Sequence, residues 1–310
     1  MNSFRGIHPP IATIFSEDGK VSYRDMQMHA DFLIQGGLQG LVYLGTTGEF
    51  GSMTVDERAE LIRIMVPYID NRANVIIGVG DTCLKNTLRL VHEAENDGAD
   101  AVLVLPPYFS VYPDKNIEAY FRRICSESDI PVFIYNFPAL TGFSFDVGLV
   151  RRLLTDCPNL IGIKDTTDDT EHLRAMISLK KEFPRFVVYS AYEKQAWQMM
   201  NEGVDGFVNA TANFAPDISS IFFREFSKDN LIMARDYYEM MIKASKIYDC
   251  SEPLYLAVKE AVYQRVLGHR GTERLPALSL NVERREEIGE ILRELSKMQE
   301  PYSMQVQKGI

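Results

Sequence analysis

The chain has 310 residues, 46% of them hydrophobic and 25% charged, and carries a formal net charge of -10. This composition suits a folded protein with a sizeable core. The acidic balance argues against nucleic acid as a partner, because phosphate binding needs clustered Lys and Arg; it leaves room for a small anionic substrate, which responds to local charge.

The N-terminal MNSFRGIHPP lacks the basic start and apolar run of a signal peptide. No apolar stretch is long enough to span a bilayer, so a cytoplasmic location without membrane contact is expected. Strand-length, β-branched segments then recur: PPIATIF (9–15), GLVYLG (40–45), NVIIGVG (74–80), DAVLVLPP (100–107), IPVFIYN (130–136), NLIGIKD (159–165), RFVVYSA (185–191) and DGFVNAT (205–211). Helical patterns lie between them. In TVDERAELIRIMVPYI (54–69) apolar residues fall three and four apart, and Thr54 with Glu57 is spaced for a capping box. Near-continuous apolar strands alternating with helices indicate a parallel sheet covered by helices. About eight such units point to an α/β (β/α)8 TIM barrel over residues 1–215. A doubly wound sheet is the alternative, but its usual GxGxxG fingerprint after the first strand is missing. Beyond the barrel the chain reads as helical at 216–226, 230–248, 252–268 and 282–298. This gives a C-terminal helical extension, 216–300, and a loose tail, 301–310.

Cys83, Cys125, Cys157 and Cys250 show no CxxC or Cys/His ligand spacing and read as isolated reduced thiols. His8, His29, His92, His172 and His269 form no HxxxH pair, so no protein-bound metal is expected.

IGIKDTT (161–167) places a lysine inside an apolar run. A buried ammonium without a partner is costly and tends to neutralise. The stretch is either a strand end that reaches water or a site of amine chemistry. Active sites of (β/α)8 barrels lie at the C-terminal ends of the strands. Alternation puts Gly162, Lys164 and Thr166 on one face and Ile161 and Ile163 on the other. The helix-facing side is the more apolar, so Lys164 should enter the barrel mouth. The same reasoning turns Phe133 and Tyr135 inward on the preceding strand. By itself Tyr135 also reads as a strand-end aromatic with a wet hydroxyl. Beside Lys164 it suits imine chemistry, in which the amine attacks a ketone and the phenol ferries protons. GTTGEFG (45–51) lacks the GK[ST] of a phosphate loop. Its glycines and threonines offer backbone N–H groups and hydroxyls to a carboxylate, although many strand–helix turns are glycine-rich. Together the three elements describe a site for a 2-keto acid.

GTTGE, YNFPALTG (135–142) and IGIKDT (161–166), with ATANFAP (210–216) and the helical tail, resemble the dihydrodipicolinate synthase / N-acetylneuraminate lyase family along essentially the whole chain. The resemblance implies a class I aldolase or related lyase, with a (β/α)8 fold and a homotetrameric, dimer-of-dimers assembly. It implies Lys164 as the Schiff-base lysine, Tyr135 as the proton shuttle and Thr46 as the hydroxyl bonded to that tyrosine. Thr47 and Gly48 match the cradle for the pyruvoyl carboxylate, and the Val208 carbonyl matches a backbone acceptor. No cofactor is implied beyond the imine itself. Three positions depart from family patterns. Leu140 stands where dihydrodipicolinate synthases carry an arginine that grips a second carboxylate. Glu193–Lys194 replaces the acidic pair of sialic acid lyases. Phe109 stands where a neighbouring subunit often supplies a tyrosine, unless Tyr108 or Tyr112 substitutes. YNFPALTG and IGIKDTTDDTEHLRAM look most like 2-keto-3-deoxygluconate aldolases. The expected reaction is therefore reversible cleavage of a 2-keto-3-deoxy sugar acid to pyruvate and an aldehyde, with Thr166, Glu193 and Asn209 meeting the aldehyde's hydroxyls. The alternatives are dihydrodipicolinate synthase, another pyruvate-imine dehydratase or deaminase, and a non-catalytic keto-acid binder.

Overall fold

A computed structural model describes residues 4–308, with 303–308 in backbone only. Eight parallel strands form a TIM barrel: β1 Gly6–Ile7, β2 Gly40–Tyr43, β3 Asn74–Gly78, β4 Ala101–Val104, β5 Val132–Asn136, β6 Leu160–Asp165, β7 Val187–Ser190 and β8 Gly206–Phe207. Each pairs with its sequence neighbour from β2 to β8, and β8 pairs with β1. The circle is completed by a parallel bridge between Pro10 and Val42, where Ile11 N–H donates to the Val42 carbonyl at 2.8 Å. The seven later strands fall inside the segments expected for them. The first does not: β1 is two residues long and precedes the expected 9–15. Pro9 and Pro10 have no N–H to give to a ladder, so pairing there thins to a single bridge. Likewise β8 stops at Phe207, and Ala210–Asn213 turns into a 3-10 helix.

The chain divides into two compact units. One comprises the segment ending at Ile11 and Leu38–Asn209, which holds all eight strands; the other comprises Ala12–Gly37 and the chain from Ala210 onward. In the strand-bearing unit, the helix Val55–Ile69 starts with the expected capping box. Glu57 N–H donates to Thr54 Oγ1 at 3.2 Å, and Thr54 N–H to Glu57 Oε2 at 2.9 Å. The barrel interior is filled by Val42, Ile76, Ala101, Leu103, Phe133, Tyr135 and Tyr189, drawn from alternate strand positions. Gly162 faces Phe133 across the β5–β6 pair. A Cβ at Gly162 would lie 2.2 Å from the ring, so only glycine admits the phenylalanine there. The register skips a residue between Val132–Leu160 and Phe133–Gly162. Ile161 lies at that irregularity; it touches the interior cluster and also lines a cavity with Leu154 and Phe183.

The second unit groups the helix Tyr23–Gln35 with the C-terminal helices. His29 Nε2 lies 2.8 Å from the Asn213 carbonyl, and His269 Nε2 lies 3.1 Å from Asp25 Oδ2. Its last helix runs Val282–Lys308, into the segment expected to be a loose tail. Tyr302 O–H ties that end to Asp236 at 2.6 Å; residues 309–310 lie outside the described residues. The cysteines are all free, yet two are not isolated: the thiols of Cys125 and Cys157 hydrogen-bond to each other, and this contact with burial pushes Cys125 upward. Among the described residues no helix is long and apolar enough to cross a membrane.

Candidate active site

The site grows from the last residues of β5 and β6. Tyr135 and Lys164 are register partners on adjacent strands, and both are buried, at 3% exposure each. Lys164 Nζ sits 4.0 Å from the centre of the Tyr135 ring. No carboxylate pairs with it among the described residues, which sets it apart from Lys259, the other buried lysine, held by Glu273 at 2.5 Å. The apolar run of the sequence therefore places an amine inside the barrel with an aromatic face, not a counter-ion, beside it. The phenol of Tyr135 lies 3.1 Å from Thr46 Oγ1. Phe137 stacks on the Tyr135 ring at 5.9 Å.

Thr46 belongs to the turn after β2. The turn is entered through Leu44 and left through Glu49, both in the left-handed region at φ 58° and 56°. Such conformations in non-glycine residues are costly and gather at functional sites. Gly48 N–H donates to the Gly45 carbonyl at 3.0 Å, and Glu49 N–H to the Thr46 carbonyl at 3.1 Å. The Gly48 amide is thereby held within the turn. A Cβ at Gly48 would lie 3.0 Å from the Ile11 carbonyl, so the glycine serves close packing. Thr47 is buried and is the residue of this turn left to offer its N–H and hydroxyl.

The remaining candidates lie at the ends of β6 to β8. Thr166 N–H donates to the Asn136 carbonyl at 2.8 Å, while its buried Oγ1 has no partner. Glu193 is buried, at 3%, in the 3-10 turn Glu193–Gln195 after β7, and Lys194 ion-pairs with Asp168 at 2.6 Å. Val208 N–H bonds the Ser190 carbonyl at 2.9 Å, and Asn209 is buried beside it in sequence. Tyr192 is half-buried; burial, with the charges of Asp168, Tyr135, Asp165 and Glu193, pushes its phenol up. Leu140 is 60% exposed, and Phe109 is fully exposed at a left-handed φ of 77°. Among the described residues no group of three or more His, Cys, Asp or Glu is placed to hold a metal ion.

Sequence reasoning missed a polar ring directly behind the pair. Asn136 Nδ2 donates to Asp165 Oδ1 at 2.9 Å, Asp165 Oδ2 meets His172 Nδ1 at 2.7 Å, His172 Nε2 meets the Phe145 carbonyl at 2.7 Å, and Phe145 N–H returns to Asn136 Oδ1 at 3.2 Å. The signal was available, since Asn136 and Asp165 follow Tyr135 and Lys164 and alternation turns them to the opposite face. Burial alone would pull His172 down. The hydrogen bond and charge of Asp165, with the Phe145 carbonyl and the charge of Asp169, more than offset this and hold the imidazole above its ordinary value.

Residues 3–295 match the Dihydrodipicolinate synthetase family, and the chain belongs to that family. It is a lyase with aldolase-named relatives. YagE of Escherichia coli K12, provisionally named a 2-dehydro-3-deoxy-D-gluconate aldolase, is 35% identical over 260 residues, 84% of this chain and 86% of its own. YjhH of the same organism, provisionally named a 2-dehydro-3-deoxy-D-pentonate aldolase, is 36% identical over the same shares. A crystal structure of YagE in complex with pyruvate superposes with a TM-score of 0.90 at 33% identity, covering 94% of this chain and 99% of that one.

Proposed function

We propose that this lyase cleaves a 2-keto-3-deoxy sugar acid reversibly to pyruvate and an aldehyde through an imine on Lys164. The observation that carries the reading is the amine of Lys164 against the Tyr135 ring, with the Tyr135 hydroxyl bonded to Thr46. The amine adds to the C2 ketone and water leaves, with Tyr135 carrying the protons. A base takes the proton of the C4 hydroxyl and the C3–C4 bond breaks. Its electrons enter the imine as an enamine, which is protonated at C3 and hydrolysed to pyruvate. The imine forms with the substrate itself, so no cofactor is called for. Thr47 would hold the carboxylate, and the unpartnered hydroxyl of Thr166 would meet the sugar chain. Assembly as a homotetramer belongs to the same reading and is checked by light scattering.

Pyruvate with borohydride should add one reduced pyruvyl group, mapped by peptide mass to residues 161–167. A label on another lysine, or none, removes the imine mechanism and favours a keto-acid binder. The substrate is read from kcat/KM for condensing pyruvate with glyceraldehyde against aspartate semialdehyde. An unpaired buried carboxylate is expensive, and Leu140 offers no charge, so glyceraldehyde should win. The reverse preference would point to dihydrodipicolinate synthase instead.

A further inference from the structure

We infer that His172 is a positioning residue: a cationic, doubly donating imidazole that holds Tyr135 and Lys164 in register from behind the strands. The inference deepens the proposed reaction and rests on that reading for its effect on turnover.

One residue follows each member of the Tyr135–Lys164 pair on its strand. Asn136 and Asp165 are register partners, wholly buried at 0% exposure, and joined side chain to side chain. Their bond fixes the strand ends that carry Tyr135 and Lys164. Asp165 is then gripped from the other side by His172, on the helix Thr170–Ser178. That helix is itself anchored by Asp169, whose Oδ1 accepts from Glu171 N–H at 2.9 Å and from His172 N–H at 3.1 Å. The second ring nitrogen reaches the Phe145 carbonyl, and the Phe145 amide closes the circuit on Asn136.

Both nitrogens of His172 therefore face acceptors, one a carboxylate and one a carbonyl. A neutral imidazole donates from one nitrogen only, and its other nitrogen would meet an oxygen lone pair. Two contacts of 2.7 Å to acceptors each need a proton, and the imidazolium supplies both. The charged groups around it agree. Asp165 faces it from β6 and Asp169 from its own helix, while on the Phe145 side the neighbouring Asp146 carboxylate caps Leu149 N–H at 2.7 Å. Losing the proton deletes one donor and opens the circuit at Asp165 or at Phe145. Because the folded value is raised, the brace is complete below the unfolded value near 6.5 and is lost as pH rises through the folded one.

The test has two arms on the full chain. The first reads the His172 ring nitrogens by nitrogen-15 NMR without substrate. Both should be protonated at pH 7, with one proton lost above the ordinary histidine range; a single unprotonated nitrogen at pH 7 overturns the inference. The second compares the rate of pyruvate trapping in His172→Gln and wild type across pH. The variant keeps one donor, and a small misplacement of reacting groups should slow it about ten- to a hundred-fold at neutral pH. The wild-type advantage should shrink as pH rises through the His172 titration, since the wild type then loses the same donor. A merely structural role would give a ratio that does not move with pH, and an unchanged trapping rate would equally sink the idea. If the wild type traps no pyruvate, the proposed reaction fails while the NMR arm still decides the brace.

Discussion

The mouth and the floor of the barrel are built from the same strands and differ by two residues along each. On β5 the floor residue is Phe133 and the mouth residue Tyr135; on β6 they are Gly162 and Lys164. At the floor a ring fills the space a glycine leaves, Phe133 stacks on Tyr189 at 5.6 Å, and Tyr189 O–H donates to the Phe4 carbonyl. At the mouth the same register sets a phenol against an amine, with the Thr46 hydroxyl bonded to the phenol. Alternation decides which residues point inward at both ends, and residue chemistry alone decides which end is filled by rings and which end presents an amine and a phenol.

The largest effects should separate the two ends cleanly. Lys164→Ala should reduce both trapping and turnover to background while leaving the urea midpoint near or above wild type, since a buried amine without a counter-ion is lost. Tyr135→Phe keeps the ring and should cost about a hundred- to ten-thousand-fold in kcat, the usual contribution of a general acid–base group, again with the fold intact. Phe133→Ala should do the opposite. It opens a cavity where the ring meets Gly162 and Tyr189, and should cost about 3–5 kcal/mol of stability by urea unfolding, with trapping at Lys164 retained in the folded fraction. A loss of turnover without a loss of stability in Phe133→Ala would blur the division between the ends.

The two ends also carry histidines of opposite sign. His8 is wholly buried at the floor, 5.0 Å from Tyr189, and burial pushes it down to about 4 despite the contact of Nδ1 with the Gly6 carbonyl. The unfolded chain takes up that proton near 6.5 and the folded one does not, so stability should fall as pH drops from 6.5 toward 4, by about 3 kcal/mol at the most. His172 behind the mouth is raised and weakens on the alkaline side. Urea unfolding of His8→Asn at pH 7 and pH 5 should show a smaller acid loss than wild type. An equal loss in both would remove His8 as the cause.

Much of this was legible in the sequence, and the exceptions have physical reasons. Strand positions followed from apolar runs, and the inward face of β5 from alternation. The first strand was misplaced because PPIATIF is apolar enough for a strand while its two prolines deny it a ladder. The register irregularity beside Ile161 breaks strict pairing between β5 and β6, and no local pattern announces it. The ring of Asn136, Phe145, Asp165 and His172 joins four segments up to 36 positions apart (136 to 172), so no spacing rule could assemble it. His172 entered the sequence reading only as one of five histidines without an HxxxH pair, because its partner Asp165 faces away from the site.

The smallest expected effect concerns Thr166. Its Oγ1 is buried and makes no hydrogen bond, although its N–H is well placed on Asn136. A buried hydroxyl left unmade costs about 1–3 kcal/mol of desolvation, and nothing in the free protein offsets it. Thr166→Val keeps the shape and removes the polar atom. The free variant should therefore be as stable as wild type or slightly more so, while a substrate hydroxyl that would bond Thr166 loses about 0.5–1.5 kcal/mol, roughly two- to tenfold in kcat/KM for sugar-acid cleavage. Pyruvate trapping at Lys164 should stay unchanged, because pyruvate has no hydroxyl to offer that position. The comparison of the three readouts places the residue. A fall in trapping would assign Thr166 to the carboxylate end of the substrate, and a fall in stability would show that the hydroxyl is already partnered in the free protein.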